Sequence, residues 1–388
     1  MMIPLLVSAM TARANEGSCV KMKNNPLSSR ERVRLALTHR ETDRIPIAMV
    51  CSGINEPARS AFQEYLRAQG YGTLKEYLDA LVDIKGVGPE YQGPPLEPGN
   101  DIWGVRRKVV QYGVGAYDEI DHHPLANAEN PDPLAQYPWP KTDWYDYTVL
   151  PKRIAAAHAD GERCIMVGNG NPFETTWYMR GFEQIFLDLV INPELVHGIM
   201  DRVTRFYVEH FQRILSAARG EVDLVFTADD IGGQNGLLLS LDMWEQFVKP
   251  YHVRLNAAIH EHGAKVIYHT DGGVMDALPG LIDMKIDVLQ ALQFDAAGMD
   301  AVKMKANFGD KLCFEGGVSV QRTLPFGTPD EVREEVKHLI ATLGQDGGYI
   351  LGPAHTIQAG TPPDNIHAMF EAARNCPLPS RSRGKKVP

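Results

Sequence analysis

Short apolar runs recur along this chain, and most are followed by a segment with helical periodicity. That alternation constrains the fold more than any other feature of the sequence. The runs fall at 45–50, 80–84, 164–168, 222–226, 265–268, 286–289, 311–314 and 348–351. Strands flanked this way belong in a parallel sheet covered by helices, and about eight of them is the number a (β/α)₈ barrel needs. The helices are signalled independently. Ser28-Ser29-Arg30-Glu31 is a capping box that opens a helix through His39. Thr328-Pro329-Asp330-Glu331 is another, followed by an apolar face at Val332, Val336, Leu339, Ile340 and Leu343 and a stop at Gly344. A further helix is expected over 241–262, ending at Gly263.

The rhythm breaks at residues 87–150, rich in Pro, Gly, Tyr, Trp and Asp. This stretch reads as an insertion after the second strand that covers the barrel mouth. The expected organisation is therefore one (β/α)₈ barrel over 28–376 with a helical extension at its N-terminus. Residues 1–27 read as a disordered or mis-annotated extension with Met22 as the natural start, and 377–388 as a basic disordered tail.

Composition narrows the function. The 388 residues carry a net charge of -10, which argues against a nucleic-acid backbone or an anionic membrane as the main partner. No run approaches the length of a membrane span. Cys19, Cys51, Cys164, Cys313 and Cys376 are scattered and without CxxC spacing, as expected of buried thiols in the cytoplasm. Phosphate-binding glycine motifs are absent. A homodimer is compatible with the sequence but not signalled by it.

In a barrel of this kind the chemistry lies just after each strand. Those positions hold Cys51-Ser52-Gly53, then Asn169 and Glu174, then Asp229 and Asp230. His269 and Asp271 follow in the stretch KVIYHTDGGV, then Gln290 and Gln293, then Glu315, and finally His355. Carboxylates, imidazoles and amides converging on one face are what acid–base chemistry requires. The alternative for Asp230 and Asp271 is that each caps the next helix. For His269 and His355 it is a satisfied buried imidazole. Gly272-Gly273 and Gly316-Gly317 imply positive φ or close backbone approach.

These residues also carry a family resemblance. The segments SSRERVRLALTHRETDRIPI, HTDGGV, FEGGVSVQRTLPFGTPDEVREEV and GGYILGPAHTIQAGTPPDNIHAMFEA resemble the uroporphyrinogen decarboxylase superfamily, and within it the corrinoid-dependent methyltransferase branch. The resemblance implies a barrel with a deep cavity at the C-terminal face. It departs from the decarboxylases where they carry an arginine-rich RQAGR segment. This chain has CSGINEPAR there, with Arg59 as the one nearby cation, so a polycarboxylate substrate is not expected. It departs from the thiol-methylating members too. They carry His-x-Cys and a further Cys as zinc ligands, whereas here Asp271 and His355 stand in the two Cys positions and His269 is retained.

The resemblance implies transfer of a methyl group from a small O-methylated compound to cob(I)alamin on a separate corrinoid protein. His269, Asp271, His355 and Asp230 are the expected catalytic residues, and His269, Asp271 and His355 are a possible Zn²⁺ site. Asn169, Glu174, Asp229, Asn235, Gln293, Glu315 and Gln358 are expected to contact substrate, and Trp103 and Tyr112 to wall it. Two other readings compete. One is a decarboxylase of a small acid, which needs Arg59, Arg106, Arg107 or Arg180 in the pocket. The other is a non-catalytic binding protein on the same scaffold.

Overall fold

The computed structural model describes residues 27–378 apart from Ser52; the expectations for 1–26, Cys19 among them, and for 379–388 lie outside the described residues. Seven strands form one parallel sheet in chain order: β1 Ile84–Gly86, β2 Cys164–Gly170, β3 Leu224–Ala228, β4 Lys265–His269, β5 Val288–Ala291, β6 Cys313–Val318 and β7 Tyr349–Pro353. Helices lie between successive strands, from Leu150–Ala157 before β2 to Pro329–Leu343 before β7. The sheet curls until both edges meet one segment. Ala48 N donates to Leu351 O, Leu351 N to Pro46 O, and Asp83 N to Ile47 O. The apolar run at 45–50 thus makes one isolated bridge, Ile47 to Leu351, rather than a regular strand. Pro46 lacks the N–H that a full ladder needs.

Three carboxylates hold the N-terminal ends of the strands. Asp83, Asp223 and Asp287 each precede a strand and accept a backbone N–H from the neighbouring segment: Ile47 N at 2.8 Å, Ile165 N at 3.0 Å and Val266 N at 2.8 Å. Helix Ser29–Leu37, opened by the capping box at Ser28 and Glu31, supplies countercharges to Asp83 and Asp223, and Lys265 pairs with Asp287 at 2.8 Å. Arg32 reaches Asp83 at 2.7 Å, and Arg30 and Arg34 each reach Asp223 at 3.0 Å. Arg44 adds a second guanidinium to Asp83 at 2.8 Å. This explains why the strands begin later than the apolar runs. Val222 and Ile286 read as strand, but the aspartates after them are committed to closing the sheet.

Two further expectations shift. The run at 80–84 is divided: residues through Leu81 finish helix Leu74–Leu81, held by a capping box at Thr73 and Glu76, and β1 starts at Ile84. The helix expected over 241–262 is two, Leu241–Phe247 and Lys249–His260, because Pro250 restarts the chain at the first turn of the second. The insertion is more ordered than its composition suggests. It holds a hairpin of Arg106–Tyr112 against Gly115–His122, anchored by buried Trp103, Val105, Leu125 and Leu134. Both hairpin strands are largely solvated, so no apolar alternation marks them. Among the described residues no helix is long and apolar enough to cross a membrane.

Asp83 has no exposed side-chain surface, yet it holds two guanidiniums and one backbone donor. Removing it strands those groups. Asp83→Ala is expected to lower unfolding free energy by about 3–5 kcal/mol, read as a lower urea midpoint at unchanged slope.

Candidate functional site

The C-terminal strand ends open into a cavity of about 1240 Å³. His269, the last residue of β4, sits at its inner end and is 5% exposed. Its Nδ1 is hydrogen-bonded to Oε1 of Gln290, the residue paired with it on β5. The Gln290 Nε2 donates to Val50 O at 3.2 Å, which fixes the amide's orientation. Oε1 therefore accepts, Nδ1 carries the proton, and Nε2 presents its lone pair to the cavity. That lone pair lies 3.6 Å from Asp230 Oδ1 and 3.9 Å from Asp271 Oδ1. An imidazole lone pair facing two carboxylates at this range is repulsive unless a proton or a cation lies between them.

Asp230 and Asp271 are not helix caps. Asp271 N donates to Asp230 Oδ1 at 2.8 Å, so the two strand ends brace each other. His355, on the loop after β7, brings Nε2 to 3.8 Å from Asp271 Oδ2, and its ring centre lies 5.8 Å from that of His269. The glycines behave as expected. Gly272 has φ 81°, and a Cβ there would lie 2.4 Å from Gly233 N, so the turn that places Asp271 admits no side chain.

Glu174 enters the cavity from helix Pro172–Arg180. It accepts from Tyr178 Oη at 2.9 Å and Asn171 Nδ2 at 3.2 Å. Burial pushes its carboxyl well above the ordinary range, reinforced by the charges of Asp230 and Asp229 and opposed by these two hydrogen bonds. Burial also raises Asp230, with Asp271 adding to the shift and His269 opposing it. Asn169, Gln293 and Gln358 line the cavity as expected. Gln293 Oε1 also accepts from Gly272 N at 2.9 Å. Trp103 and Tyr112 of the insertion wall the cavity, together with Tyr117.

Three expected contacts lie elsewhere. Asp229 is fully buried and accepts the N–H groups of Phe173 and Glu174 at 2.9 and 2.7 Å, with His252 Nε2 at 2.5 Å. It caps a helix from a neighbouring strand and has no oxygen left for substrate. Asn235 is exposed in the two-residue turn between Gly233 and Gly236. Glu315 is fully buried on β6, beside Gln290 in register and outside the cavity lining. Burial holds its carboxyl well above the ordinary range.

The sequence also undervalued several groups. Cys51 lines the cavity with part of its surface exposed, and loss of solvent around its sulfur, reinforced by Asp271, Glu174 and Asp230, pushes its thiol to about 12. Its place after the first apolar run was the available signal. Tyr178, one helical turn beyond Glu174, was readable from spacing. Tyr207, which donates to Asn171 Oδ1 at 2.9 Å from a long helix, carried no signal. Among the described residues two overlapping groups have ligand-type atoms within 4.8 Å of one another: Cys51, His269 and His355, and Asp230, His269 and Asp271. In the expected trio, His269 and His355 approach different oxygens of Asp271.

Residues 116–376 match the family described as Uroporphyrinogen decarboxylase (URO-D). A methylated-thiol–coenzyme M methyltransferase of Methanosarcina mazei is 27% identical over 208 residues, covering 54% of this chain and 52% of the relative. A uroporphyrinogen decarboxylase of Psychromonas ingrahamii is 24% identical over 221 residues, covering 54% and 58%. The match thus spans little more than half the length of these curated relatives. A solved methyltransferase from Methanosarcina mazei superposes with TM-score 0.62 at 18% identity, covering 89% of this chain and 98% of that one. That likeness concerns the fold.

The split between Asp229 and its neighbours is measurable. Asp229→Ala is expected to cost about 1–3 kcal/mol through the lost cap and the unpaired donors, seen as a lower thermal midpoint. Asn235→Ala is expected to leave the midpoint unchanged.

Proposed function

The chain belongs to the uroporphyrinogen decarboxylase family, and from that membership and the cavity we propose that it is a methyltransferase. In this reading the curled sheet and the 46–48 segment form a (β/α)₈ barrel. The barrel moves a methyl group from a small O-methylated compound to cob(I)alamin carried by a separate corrinoid protein. The relatives named as methyltransferases support methyl transfer in general. The oxygen-bound donor and the corrinoid partner are the proposal's own.

One observation carries the choice of chemistry. The cavity gathers His269, His355, Asp230, Asp271 and Glu174, and the one guanidinium among its described lining residues is already engaged. Arg107 pairs with Asp101 at 2.9 Å and lies over the Tyr178 ring at 5.0 Å. The other cations a decarboxylase needs lie elsewhere. Arg180 is buried against Asp188 at 2.5 Å, Arg106 pairs with Asp121 at 2.9 Å, and Arg59 lines a separate groove. A substrate carboxylate would meet carboxyl groups with no free guanidinium among the described lining residues to hold it. A neutral methyl ether avoids that cost, and aromatic walls at Trp103, Tyr112 and Tyr117 suit an apolar body.

The step is a displacement at the methyl carbon. The C–O bond breaks, the methyl passes to the cobalt, which supplies the electron pair of the new bond, and the oxygen keeps the old pair and takes up a proton. Alkoxides and phenolates leave poorly, so the protein must stabilise that oxygen. Glu174, pushed toward its protonated form by burial and held by Tyr178 and Asn171, is placed to donate that proton. His269, Asp271 and His355, with Asp230, face the oxygen at the inner end, and a proton or a cation held between them stabilises it. The donor set also suits zinc: His269 offers a free Nε2, and His355, Asp271 and Cys51 lie beside it. Zinc bound there would act as a Lewis acid toward the ether oxygen.

The test is methyl transfer from aryl and alkyl methyl ethers to cob(I)alamin, followed by the loss of its absorbance. His269→Gln and His355→Gln are each expected to slow transfer by about 10²–10⁴-fold, with Asn235→Ala unchanged. Full rates in both histidine variants would overturn the assignment. Carbon dioxide release from a carboxylated compound, with no ether methylating the cobalt, would favour the lyase.

A further inference from the structure

We propose that Cys51 supplies a thiolate ligand to a divalent transition-metal ion, completing a sulfur–nitrogen–nitrogen set with His269 and His355 at the inner end of the cavity. The inference rests on this cavity being the active site, and it adds a ligand outside the trio of His269, Asp271 and His355 expected from the resemblance.

Three observations meet at this point. The ligand atoms of Cys51, His269 and His355 lie within 4.8 Å of one another, and the three residues come from different walls: the loop after residues 46–48, the end of β4 and the loop after β7. Next, the hydrogen bond from His269 Nδ1 to Gln290 directs the free Nε2 inward, as buried partners orient metal-binding imidazoles elsewhere. Gln290 also ties this ring to Val50, the residue before Cys51. Finally, Cys51 has φ 49°. A non-glycine residue in this region is held there by its surroundings, and such strain gathers at functional positions.

The competing donor set is Asp230, His269 and Asp271. Its oxygens suit a harder ion, and Asp230 Oδ1 already receives the Asp271 N–H at 2.8 Å. A borderline ion such as Zn²⁺ or Co²⁺ takes sulfur and imidazole in preference. On binding, the Cys51 thiol proton leaves to solvent and the sulfur keeps its electron pair for the metal. Asp230 and Asp271 would stand beside the ion, next to His269.

Titration of the metal-free protein with Co²⁺ tests this without turnover, so failure of the methyltransferase reading would not be mistaken for failure of the ligand assignment. Wild type is expected to bind one Co²⁺ per chain with an intense near-ultraviolet sulfur-to-cobalt absorption. Cys51→Ala is expected to lose that band and bind more than about tenfold more weakly. Cys51→Asp is expected to recover stoichiometric binding without the band, and Asp230→Asn to keep it. Thermal melts of each variant check folding. Absence of the band in wild type, or its persistence in Cys51→Ala, would overturn the proposal.

Discussion

The parallel hydrogen-bond ladder is the constraint on which everything else depends. Because every strand of the sheet runs the same way, every strand end opens on the same face. The register then fixes neighbours: His269 pairs with Ala228 on one side and Gln290 on the other, and Gln290 pairs with Glu315. A slip of one residue would turn His269 away from the cavity and break its contact with Gln290. The imidazole's position, its tautomer and its distance from Asp230 and Asp271 all follow from this pairing.

The two ends of the sheet use carboxylates in opposite ways. At the N-terminal end, Asp83 and Asp223 are matched by arginines from one helix and by backbone donors. At the C-terminal end, Glu174, Asp230 and Asp271 converge with no free guanidinium among the described cavity-lining residues. The first arrangement stabilises the fold. The second costs stability, and burial answers by holding Glu174 and Asp230 toward their protonated forms. Buried acidic groups left without countercharge in an open cavity are poised for a ligand that brings a proton, a cation or a polarisable oxygen.

Much of this was legible in the sequence, because periodicity and strand-end position are local properties. The alternation located the seven strands of the sheet to within a few residues, and KVIYHTDGGV carries His269 and Asp271 to the end of β4, where both line the cavity. Failures came where a side chain is claimed from a distance. Asp229 and Asp230 are adjacent and chemically alike. Only the approach of helix Pro172–Arg180 assigns one to capping and leaves the other in the cavity. Glu315 follows an apolar run as His269 does, yet it is fully buried beside Gln290, outside the cavity lining. Cys51 looked like one more scattered thiol until the curl of the sheet brought the first wall against the fourth and seventh strands. The hairpin at 106–122 was hidden because its solvated faces carry no apolar signal.

In the proposed reaction an intact methyl leaves an oxygen for cobalt within this cavity. A single turnover with a donor labelled as CD₃ on ¹⁸O, followed by mass spectrometry of both products, tests it most directly. Methyl transfer to cobalt puts CD₃ on the corrinoid and leaves all ¹⁸O in the demethylated product. Labelled methanol, or loss of ¹⁸O to water, would contradict it.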